Sequence, residues 1–83
     1  MKTEFDRRPR TSDIRLDAIS STEWRVCDST IDEDDHLSIL GFIELRDRKY
    51  EVLRMSAPRD VLVFGTLAEA RNAFSFSSIS YIP

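Results

Sequence analysis

Five successive residues, Asp32-Glu33-Asp34-Asp35-His36, bring together four carboxylates and the chain's one imidazole, the groups that divalent cations take as ligands. Metal chemistry needs such groups to converge on one point, and neighbours in a single loop cannot all face one ion. The alternate ligands, central glycine and closing glutamate of a calcium loop are missing as well. The stretch is therefore expected to be a solvated acidic loop, its like charges favouring exposure. Cys27 and His36 are the only thiol and imidazole. A cysteine nucleophile needs an adjacent base and a lowered pKa, and no third residue stands ready to orient such a pair, so Cys27 is expected to be structural. Neither a G-x-S-x-G elbow nor a glycine-rich phosphate loop occurs, since the only glycines are Gly41 and Gly65. No catalytic, metal or cofactor-binding residue is assigned, and the chain is expected not to be an enzyme and to carry no cofactor.

Binding residues are easier to name. Arg7, Arg8 and Arg10 lie in a polar stretch broken by Pro9, where they either contact phosphate from an arm or solubilise the terminus. Phe76 and Tyr81 lie in the serine-rich apolar segment from Ser75 to Pro83, which either packs on the fold or faces a partner. Trp24, Phe42 and Tyr50 have rings on which bases stack, but a thin core has first claim on them. The net charge is −3, and the first ten residues carry four cations against two acids, leaving the remainder near −5. An acidic body disfavours general binding to a phosphate backbone, which relies on clustered positive charge.

The elements that position these residues follow from pattern. At 83 residues the chain is expected to be one thin-cored domain, with residues 1–12 a flexible basic tail and 13–83 the folded body. Ile14, Leu16, Ala18 and Ile19 have no clean period and fit a strand or a short helix, with extended chain favoured. Trp24 and Val26 alternate with Glu23 and Arg25, as in a half-buried strand. Leu37 to Leu45 and Lys49 to Met55 flank Arg46-Asp47-Arg48 and read as a hairpin. A two-residue turn at Asp47-Arg48 would pair Leu45 with Tyr50, Ile43 with Val52 and Phe42 with Leu53, and would also oppose Glu44 to Glu51, a like-charge pair that favours a loop one or two residues longer. Gly41 is expected to make room for an aromatic ring or a bulge. Pro58 is expected to bar pairing over residues 56–60.

Val61 to Phe64 then reads as a strand, closed by Gly65. Thr66, followed three residues on by Glu69, matches a capping box opening a helix over residues 66–75, with Leu67, Ala70, Ala73 and Phe74 as its apolar stripe. The lone Cys27 excludes an internal disulfide and a thiolate zinc site, which suits a reducing cytoplasm. The N-terminus lacks the apolar core of a signal peptide, and no stretch approaches the ~20 apolar residues of a membrane span. A cytoplasmic protein without membrane contact is expected.

Trp24-Arg25-Val26, Ile39-Leu40-Gly41-Phe42-Ile43-Glu44, Tyr50-Glu51-Val52 and Phe64-Gly65-Thr66-Leu67-Ala68-Glu69-Ala70 together resemble a group of short actinobacterial proteins over about residues 22–75. That likeness implies an α+β fold and brings no activity or site residues with it. Three strands followed by a helix entered through Phe-x-Thr-x-x-Glu-Ala are also similar to the arm-type DNA-binding domains of tyrosine integrases and to AP2-like domains. That likeness implies nucleic-acid contact from the strands, where Glu44 and Glu51 stand in place of the basic residues those domains present. The combined expectation is an α+β domain, an antiparallel sheet of three to four strands with one helix on one face. The uncovered face is expected to keep apolar residues that invite a protein partner or a second copy, the alternative being nucleic acid bound through the N-terminal arm and the sheet.

Overall fold

The computed structural model describes residues 9–75. They form one antiparallel sheet of five strands in simple meander order: β1 (Ile14–Ala18), β2 (Glu23–Asp28), β3 (Ile39–Arg46), β4 (Lys49–Arg54) and β5 (Ala57–Phe64). A short helix, α1 (Leu67–Asn72), follows, and 3-10 turns at Thr11–Asp13 and His36–Ser38 lead into β1 and β3. The class is α+β, with five strands where three to four were expected. The added strand is β1, and β5 starts earlier than the expected Val61. β1 pairs with β2 along its whole length, from Ile14 against Asp28 to Ala18 against Trp24. At the other edge Met55 and Ser56 make the turn, and Pro58 belongs to β5. Proline is tolerated there because β5 is an outer strand, and the register shift between Val52 and Arg54 falls beside it. Among the described residues no helix is long and apolar enough to cross a membrane.

The β3–β4 hairpin keeps the two-residue turn and does not lengthen its loop. Asp47 and Arg48 both have positive φ, 53° and 67°, the pattern of the type I′ turn whose twist matches the strands it joins. Leu45 pairs with Tyr50, Ile43 with Val52, Phe42 with Leu53, and Glu44 stands opposite Glu51. Magnitudes explain why the like charges are tolerated. A one-residue slip of β4 against β3 would turn its inward-facing Tyr50 and Val52, the latter fully buried, out to solvent and carry Glu51 into the core. A fully buried side chain such as Val52 is worth about 1.5–3 kcal/mol of burial, against about 0.2–1 kcal/mol for one cross-strand pair.

Alternation assigns the two faces of the sheet. Ile14 and Leu16, Trp24 and Val26, Ile43, Tyr50 and Val52, and Leu62 and Phe64 point to one side, where with Ala70 and Phe74 they make the core. Thr66 caps α1, its hydroxyl accepting from the Glu69 N–H at 3.1 Å. Such a cap is worth about 0.5–2 kcal/mol. Regular helix ends at Asn72, short of the expected residue 75, because the chain tightens: the Phe74 and Ser75 amides bond three residues back, to Arg71 and Asn72. The expected stripe nevertheless packs inward, with Ala70 and Phe74 buried and Leu67 and Ala73 against them. Gly41 serves both expected purposes. Phe74 lies directly over it, and the β2–β3 register shift falls next to it, Val26 pairing with Gly41 but Cys27 with Ile39.

Candidate functional site

The second face of the sheet carries what the core does not use. Register builds it row by row. Asp17 stands opposite Arg25, Arg25 opposite Phe42, and Phe42 opposite Leu53. One row along, Glu23 stands opposite Glu44, Glu44 opposite Glu51, and Glu51 opposite Val63. Three glutamates therefore line up across three neighbouring strands, beside an apolar row that Val61 extends onto β5. Val61 and Val63 are 54% and 56% exposed, and Phe42 and Leu53 are half-buried.

A groove of about 450 Å³ runs across this face from Ile19, in the β1–β2 turn, to Val61, with Phe42 and Leu53 among its apolar lining and Glu23, Glu44 and Glu51 at its side. Arg46 Nη2 donates to Glu44 Oε1 at 3.1 Å. That bond, with the charges of Glu44 and Glu51 adding to it, raises the Arg46 pKa above its usual value. Among the described residues the Glu23 carboxylate accepts from the Ser20 hydroxyl, at 3.4 Å. Among the described residues neither Glu23 nor Glu51 has a cation within ion-pair distance.

At the β1 side of the same face Asp17 accepts from Arg15 Nε at 2.9 Å and Nη2 at 3.1 Å, with Arg25 Nη2 at 3.5 Å. The Arg15 hydrogen bonds hold the Asp17 carboxyl below its ordinary range. Desolvation opposes them, and the charges of Arg15 and Arg25 reinforce them. Cys27 is buried beside this cluster, its thiol directed at Asp17 Oδ2 at 3.7 Å. His36, the base a cysteine nucleophile would need, is instead 90% exposed next to Asp35. The thiol and the imidazole therefore serve separate surroundings.

The acidic loop is exposed over residues 32–36, as its composition predicts. Asp28 Oδ1 accepts from the Thr30 amide and hydroxyl, at 2.9 and 2.6 Å. Asp32 accepts from the Asp34 amide and Asp35 from the Leu37 amide. Each of these three carboxylates closes its own turn, and among the described residues no three His, Cys, Asp or Glu side chains gather as metal ligands do.

Of the binding residues read from the sequence, Arg10 is exposed at the entry to the first 3-10 turn. Arg7, Arg8, Phe76 and Tyr81 lie outside the described residues. Trp24 and Tyr50 go to the core side, their rings 5.9 Å apart, whereas Phe42 goes to the groove. Sequence reasoning found the opposed Glu44 and Glu51 but missed Glu23, which joins them only through β2–β3 pairing across the acidic loop. It also missed Arg71, whose Nη2 donates to the carbonyls of Thr11 and Ile14, both at 2.9 Å, and ties α1 to the start of β1. Comparison of the chain with protein-family models, with curated proteins and with solved structures finds no match.

Proposed function

We propose that this chain is a non-enzymatic protein-interaction module that receives its partner on the sheet face opposite α1. One observation carries the reading: α1 and the core occupy one face, while the other leaves Phe42, Leu53 and Val61 along an open groove, with Val63 exposed on the same face. Partly exposed apolar side chains gathered in one concave strip are a common mark of an interaction surface. A homodimer is the form of this reading in which the partner is a second copy. The acidic row along the groove works against nucleic acid there, since phosphate is repelled by uncompensated carboxylates.

The test is a photo-reactive amino acid placed at Val61 in the full chain, compared with one at His36 on the acidic loop, in lysate of the native host. A discrete adduct from position 61, lost when Leu53→Asp is added to a chain that still folds by circular dichroism, is expected. Equal yields from both positions, together with a monomer by light scattering at high concentration, would sink the proposal.

A further inference from the structure

We infer that the occupant of the groove is a basic amphipathic helix, presenting Lys or Arg two turns apart to Glu23 and Glu51 and an apolar flank to Phe42 and Leu53. The inference rests on the reading of this face as a docking surface and adds the chemistry of what docks.

Charge is the first argument. Glu23, Glu44 and Glu51 stand in one cross-strand row, and like charges directly opposite one another destabilise a sheet. The core on the other face has no use for them. Arg46 ion-pairs with Glu44 and attracts Glu51 only from beyond contact, Arg25 lies with Asp17, and among the described residues neither Glu23 nor Glu51 has a cation within ion-pair distance. Two carboxylates beside an apolar groove are thus left for a cation from outside.

Spacing is the second. Adjacent strands are about 4.8 Å apart, which puts β2 and β4 about 10 Å from each other. Side chains two turns apart on a helix are separated by about 10.8 Å, whereas alternate residues of an extended chain fall about 6.6 Å apart. A helix laid along the groove, from Ile19 towards Val61, matches the two free carboxylates. The turn between its cations then faces Glu44 with Arg46 already in place, and one flank lies along the Phe42–Leu53 row.

The experiment is a two-dimensional amide NMR titration of the full chain with a stapled helical peptide bearing two lysines two turns apart and leucines on the adjoining flank. Saturable shifts confined to the open-face residues of β2 to β5 are expected, with affinity falling tenfold or more in the double variant Glu23→Gln/Glu51→Gln. Both substitutions relieve repulsion, so loss of binding will not be loss of fold. Equally tight binding of the same peptide with glutamates for lysines would overturn the charge inference while leaving the docking face in place. Concentration-dependent shifts of the same amides without peptide would make the occupant a second copy and overturn it too. Absence of shifts with every peptide, combined with no adduct from position 61, would remove the docking face itself.

Discussion

Replacing Gly41 with alanine places a methyl group where the structure has no room. A Cβ at that position would run into the carbonyl oxygen of Leu53 and stand 2.6 Å from Phe74 Cε1 and 3.1 Å from the Arg54 Cα. Two of those three neighbours are backbone and cannot rotate away. Overpacking of this kind costs about 1–3 kcal/mol. If β3 and β4 part to relieve it, each ladder bond lost beside the Gly41–Arg54 pair adds about 0.5–1.5 kcal/mol. A loss near 3 kcal/mol is a large share of the ~5–15 kcal/mol of a typical domain. At ~4–8 °C per kcal/mol for a domain of this size, the midpoint should fall by about 12–24 °C. Thermal and urea unfolding followed by circular dichroism measures it. Gly65 supplies the control, because the nearest atom to its Cβ position is Glu69 Oε1 at 3.8 Å. Gly65→Ala should leave stability unchanged or raise it by up to about 1 kcal/mol. Phe74→Leu added to Gly41→Ala should recover only part of the loss, since the Leu53 carbonyl remains. If Gly41→Ala unfolds within about 0.5 kcal/mol of the parent chain, as an ordinary surface change does, the seating of Phe74 on Gly41 and the tight β3–β4 approach are both wrong.

Arg71→Met keeps the apolar stem but removes the donors to the Thr11 and Ile14 carbonyls. A loss of about 1.5–3 kcal/mol is expected, with amide exchange accelerated first at the start of β1, and unchanged protection there would count against the clamp. Asp17 supplies a pH test. Its folded pKa lies below the ordinary value of 3.8, so its contribution is present above that value and is lost as pH falls through the lower, folded one. Asp17→Asn should therefore destabilise the chain near neutrality and flatten the decline on the acid side. A wild-type and variant pair with parallel acid titrations would show that the Arg15 bonds carry no folding free energy.

Local chemistry was the legible part of the sequence. Thr66 and Glu69 are three residues apart, and the hairpin pairs residues on either side of one turn, so both could be read without knowing the sheet. The end of α1 was overextended because its apolar stripe runs on to Phe74, although the backbone there has already tightened. What escaped depends on partners distant in the chain. The Arg71 carbonyl partners lie 60 and 57 residues away, and the third glutamate of the row needs the β2–β3 register, set across a loop whose composition says only that it is solvated. The strand count was low because the five residues of β1 are too few to show a period, and β5 was read short, from Val61, because Pro58 reads as a breaker until β5 is known to be an edge.

The glutamate row also bears on how this sheet distinguishes inside from outside. The hairpin is apolar on both faces, Ile43 with Val52 on one and Phe42 with Leu53 on the other, so hydrophobic patterning alone would let it pack either way round. A reversed hairpin would carry Glu44 and Glu51 into the core along with Phe42 and Leu53. Burying unpaired carboxylates is opposed by a penalty of several kcal/mol per ion, far more than the ~0.2–1 kcal/mol that the pair costs where it stands. The same carboxylates that weaken the sheet slightly therefore hold Phe42 and Leu53 at the surface. In the proposed docking role the face has to stay apolar although a thin core would otherwise claim such residues, and the charges that keep it outside are also those a cationic helix would meet.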